Sequence, residues 1–68
     1  MNDYDDEIES IEACLESMIE LLAETRDYLH QGLVIKASDK AYELKSWYRR
    51  TDAYTHDLST QLEREAKK

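Results

Sequence analysis

Carboxylates at a spacing of four residues are the first feature of this sequence with a chemical use. Glu12, Glu16, Glu20 and Glu24 follow one another at i+4, with Glu9 just ahead of them. On a helix each such like-charged pair costs roughly 0.2–0.5 kcal/mol. Glu24 and Asp27 also fall near a helix C-terminus, where the backbone dipole opposes negative charge. Forming a helix gains nothing from this pattern. It suits either a solvated face or a rigid anionic ridge, with carboxylates about 6 Å apart in rise, offered to a basic groove on another protein. A third arrangement pairs these acids with Lys40, Lys45, Arg49 and Arg50 of the same chain or of a dimer mate.

A second cluster, Ser46-Trp47-Tyr48-Arg49-Arg50, sets two aromatics beside two arginines. Aromatic stacking with guanidinium contacts holds unstacked bases, and the same residues anchor protein interfaces. In a chain of net charge −7, interface is favoured over direct nucleic-acid binding. Other chemistry finds little support. Cys14, His30 and His56 share no metal-ligand spacing. Cys14 beside an apolar stripe reads as a small core residue, and His30 as a helix-end residue. One Gly in the whole chain leaves no phosphate-cradling loop. The sequence predicts no catalytic residue, no metal and no cofactor.

Two local patterns resemble known families. Arg49 and Arg50 precede His56 with six and five residues between, which resembles the Arg-x(4–6)-His signature of HEPN ribonucleases, helical proteins that often act as dimers. The resemblance spans residues 49–56 and implies Arg49 or Arg50 with His56 as a catalytic pair. On an unbroken helix, however, Arg49 and His56 share a face but rise about 10 Å apart, and Arg50 points elsewhere. Tyr28-Leu29-His30-Gln31-Gly32, followed by Ala37, resembles the turn inside a tetratricopeptide repeat. No second copy follows at a period near 34, so it implies a close-packed helical turn and no peptide-binding role. The Ser-x-x-x-Asp arrangement of small helical-hairpin phosphatases would need an aspartate at position 42, where Tyr42 stands.

These residues need elements to hold them, and 68 residues allow one small domain. The acidic start at Asp5-Asp6-Glu7 is unlike a secretory signal. Leu33-Val34-Ile35 falls far short of the roughly 20 apolar residues of a membrane span. One Cys gives no internal disulfide, and the expected location is the cytoplasm. Charge is split: residues 1–27 carry ten acids and one base, net −9, while residues 28–68 carry six acids and eight bases, net +2.

Tyr4, Ile8, Ile11, Leu15, Met18, Leu22, Thr25 and Leu29 alternate at spacings of four and three, one stripe of a helix at about 3–30. Cys14, Leu21 and Tyr28 widen it on one side and Ile19 on the other. Asn2 or Asp3 can cap it, and Gly32 can end it in the left-handed conformation. A second helix at about 34–66 carries the columns Val34, Ala41, Tyr48, Thr55, Leu62 and Ala37, Leu44, Thr51, Leu58, with Leu33, Trp47 and Tyr54 along the edge. A break near Thr51-Asp52 is the weaker alternative, since neither Gly nor Pro is there.

The expected fold is all-α, a two-helix antiparallel hairpin that dimerises into a four-helix bundle through Trp47, Tyr48, Tyr54 and Leu58. The expected function is that of a non-catalytic acidic protein whose ridge, Glu9, Glu12, Glu16, Glu20 and Glu24, blocks a basic surface on a partner protein. Phage- or plasmid-encoded inhibitors of nucleic-acid-handling machinery have this compact acidic composition. Two alternatives stand beside it: a structural bundle component bound through its apolar stripe, and a dimeric HEPN-like ribonuclease.

Overall fold

The structure, a computed structural model, describes residues 4–67. Two helices, α1 (Asp5–His30) and α2 (Val34–Ala66), fold back on each other as an antiparallel hairpin of 54 × 19 × 12 Å. Asn2 and Asp3, the expected caps, lie outside the described residues. At the observed start, Tyr4 takes the cap position without a side-chain cap bond, and Asp5, Asp6 and Glu7 in the first turn complement the dipole.

The turn is a Schellman motif. Leu33 N–H donates to Tyr28 C=O at 2.9 Å and Gly32 N–H donates to Leu29 C=O at 3.1 Å, so two carbonyls that the helix end would orphan are satisfied. The motif requires a left-handed residue, and Gly32 supplies it with φ of +74°. Beyond the turn α2 starts poorly: Leu33 offers no side-chain cap and the first turn carries no acid.

α2 runs unbroken through Thr51-Asp52. Thr51 tolerates mid-helix placement because its hydroxyl donates to Trp47 C=O at 2.8 Å, and Thr55 does the same toward Thr51 C=O. The Thr51 oxygen also lies 3.5 Å from the Met18 sulfur across the seam, which fixes the register of the hairpin at mid-length.

The seam is narrower than the apolar pattern. Cys14, Leu21 and Ala37 are buried, flanked by half-buried Ile11, Met18, Tyr28, Leu44, Thr51 and Leu58. The expected α1 stripe is therefore only half used. Ile11 and Met18 face the seam, whereas Ile8, Leu15, Leu22 and Leu29 stay exposed, Leu22 at 58%. Small Cys14 and Ala37 allow close approach on one flank of the broad stripe, and one neighbouring helix cannot also reach the other flank.

Gly32 generates a prediction. No heavy atom lies within 4 Å of a Cβ built there, so Gly32→Ala meets no clash and loses only the left-handed backbone preference, about 1 kcal/mol. Its melting temperature, followed by circular dichroism, should drop by about 4–8 °C, with Gly32→Asn dropping less.

Candidate interaction surfaces

The acids distribute around α1 as their spacing dictates. At 100° per residue a step of four advances 40°, so the chain Glu12, Glu16, Glu20, Glu24 winds slowly across the outer side of the helix. All four and Glu9 are exposed. Only Glu24 reaches α2, where Lys40 Nζ approaches its Oε2 at 3.1 Å and Glu43 Oε1 at 4.0 Å. Intramolecular pairing, one of the three arrangements considered for these acids, thus operates at one end of the ridge. Among the described residues Glu9, Glu12, Glu16 and Glu20 form no ion pair.

The hydrogen bond that Lys40 donates to Glu24 raises its pKa above the ordinary lysine value, and the charges of Glu24 and Glu43 add to the effect. The stem of Lys40 is partly covered while its ammonium stays in solvent, so the pair orients the two helices more than it stabilises them. Nearer the open end, Glu7 occupies the same column as Cys14 and Leu21, and its Oε2 is shielded with no hydrogen-bond partner among the described residues.

The four expected dimer residues separate. Trp47 and Leu58 are half-buried in columns facing α1, and the Arg50 guanidinium stacks 4.8 Å from the Trp47 ring. Tyr54, 42% exposed, edges the same seam, and Tyr48, 62% exposed, stands on open surface. Arg49 and His56 occupy one column on the exposed side of α2, with Arg50 turned away onto Trp47.

A surface that the sequence pattern held but did not single out is the open flank of the hairpin. In an antiparallel pair the columns beside the seam on one side come from both helices. Here they are Ile8, Leu15, Leu22 and Leu29 of α1, and Val34, Ala41, Tyr48, Thr55 and Leu62 of α2. Near the turn Leu29, Val34 and Ala41 line one shallow apolar depression, which shows that the two columns share a face. The opposite flank, with Glu24, Lys36, Glu43 and Arg50, is charged. The hairpin thus has one apolar broad face and one polar one.

No group of three metal-binding side chains occurs among the described residues, and no described helix is long and apolar enough to cross a membrane. Comparison with protein families, curated proteins and solved structures finds no match.

The Lys40–Glu24 pair sets a pH signature. A lysine whose pKa is higher folded than unfolded stabilises the fold below about pH 10.5 and loses that contribution as pH rises through the raised value. Thermal melts of the natural chain should fall more steeply above pH 10.5 than those of Glu24→Gln, and the difference between the two profiles isolates Lys40 from the tyrosines.

Proposed function

We propose that this chain is a non-catalytic interaction protein that dimerises through its apolar broad face and uses the acids of α1 to occupy and block a basic surface on a partner protein. The observation that supports it is that α1 carries two unused surfaces side by side: a row of uncovered Ile and Leu, and the acids Glu9, Glu12, Glu16 and Glu20, which form no ion pair among the described residues. Exposed apolar rows of this length mark contact sites. Hairpins too thin to bury their own stripes are completed by association, most simply as a four-helix bundle of two copies. Tyr48 belongs to that contact, whereas Trp47 and Leu58 contribute to it by holding α2 against α1.

The acids then work as a field. Glu9, Glu16 and Glu20 point away from the apolar face and remain free to meet lysines and arginines, with attraction that steers encounter and fixes orientation. A partner that itself handles nucleic acid supplies such a surface, because phosphate neutralisation demands clustered Lys and Arg. A cytoplasmic inhibitor of the phage or plasmid kind is the setting this reading fits. The uncovered apolar row also favours a second reading, a structural component docked on a larger helical protein.

Two variants separate these readings. Leu22→Asp lies outside the seam, so the helix content of the variant at high dilution should match the natural chain, while light scattering should find monomer where the natural chain gives dimer. Replacing Glu9, Glu16 and Glu20 with Gln should leave the dimer and its helicity intact and remove the partner captured from the native host. That capture should also fall steeply between low and high salt. Undiminished capture by the triple variant defeats the ridge and leaves the structural component.

A further inference from the structure

The edges of the apolar broad face carry charges that the hairpin leaves unmatched. Sixty degrees further round α1 from the open apolar column run Asp5, Glu12, Ile19 and Arg26, and the corresponding column of α2 is Ser38, Lys45, Asp52 and Ser59. Among the described residues Glu12, Lys45 and Asp52 have no ion pair, and Arg26 has only a 3.8 Å approach to its exposed neighbour Asp27.

The two open columns are also centred at one level. The midpoint of Ile8 to Leu29 falls beside Ile19, and the midpoint of Val34 to Leu62 is Tyr48. The cross-seam contacts Met18–Thr51 and Glu24–Lys40 bracket Tyr48 and place it level with Ile19. A face with a common centre on both helices can be superposed on its own copy about a single point.

We propose, resting on the dimer reading above, that two copies meet broad face to broad face about a twofold axis that crosses the helices at right angles near Ile19 and Tyr48. α1 then lies antiparallel on the α1 of the second copy, and α2 on its α2. In this register Ile8 falls against the partner's Leu29 and Leu15 against the partner's Leu22. On α2, Val34 falls against the partner's Leu62, with Tyr48 against its own copy. At the outer edges Glu12 meets the partner's Arg26, Lys45 meets the partner's Asp52, and Ile19 meets the partner's Ile19 on the axis.

The other closed solution, a twofold axis along the helices, sets α1 on the α2 of the second copy. It brings Glu12 toward the partner's Asp52 and Arg26 toward the partner's Lys45, like charge on like, which interfaces avoid. The crossed-axis arrangement has one like-charged encounter, Arg49 with its copy, in open solvent where such contacts weigh little. The broad face, within the 54 by 19 Å outline of the hairpin, is large enough to supply the roughly 800 Å² per partner of a standard stable interface.

This orientation bears on function. It sets both copies of α1 on one side of the bundle, so Glu9, Glu16 and Glu20 of the two chains form a single anionic wall. A basic partner then touches both subunits, and the monomer offers it half a site.

The test is a chain carrying Cys14→Ala and Ile19→Cys, oxidised and run on a non-reducing gel. Most of it should migrate as a covalent dimer, whereas Cys14→Ala with Glu16→Cys, whose thiol faces away from the axis, should stay monomeric on the gel. In the natural background Arg26→Glu should weaken the dimer at least tenfold at low salt, and adding Glu12→Arg should bring it back to within about threefold. If light scattering finds a dimer but Ile19→Cys does not cross-link and Glu12→Arg does not restore Arg26→Glu, this orientation is wrong and the dimer reading stands. If the natural chain is monomeric at high concentration, both are wrong.

Discussion

One helix can cover only a limited arc of another, and the architecture follows from that. The apolar arc of α1, from the column of Cys14 and Leu21 round to Ile19, spans about 160°, while packing against a single neighbour uses roughly 100°. The burial of Cys14, Leu21 and Ala37 marks which part of the arc is used. Whatever lies outside it stays in water: Leu15, Leu22 and Leu29 on α1, and Val34 and Tyr48 on α2. A chain with larger residues in place of Cys14 and Ala37 would hold its helices farther apart and distribute burial differently.

This division also explains which features could be read in the sequence. The turn was legible because a single glycine stood between two periodic segments, and a left-handed cap has few other candidates. The continuity of α2 was legible too, since Thr51 and Asp52 carry no backbone reason to stop a helix. Periodicity reports angle around a helix but not which portion of a broad apolar arc the neighbour takes. For that reason Leu15 and Leu22, members of the main stripe, stand exposed, while Leu21, read as flanking it, is buried beside Cys14, which reads as a small core residue and is one. Trp47 reads as an intermolecular anchor because it lies at an edge of its stripe; it is half-buried, with the Arg50 guanidinium over its ring. The Glu24–Lys40 contact depends on the hairpin register, which is set by the exact length of the turn and by packing at Met18 and Thr51.

Charge and apolar surface are arranged with the same economy. The polar broad face, with Glu24, Lys40 and Glu43, is closed by ion pairs within the chain. The apolar broad face is bordered by charges that find no partner there. Charges are neutralised internally on one side and left unmatched on the other, so the two faces differ in electrostatic character as well as in polarity. The run Glu12, Glu16, Glu20 and Glu24 is costly to the helix that carries it, and packing of the opposite side of α1 against α2 outweighs that cost.

Cys14 has a separate significance. The residue is buried between the two helices and keeps 3% of its surface accessible, so a thiol-reactive reagent must wait for the strut-like pair to part. The speed at which the natural, unlabelled chain takes up such a reagent is therefore a clock for breathing of the hairpin. A protein with almost no interior carries its own gauge of how often that interior opens.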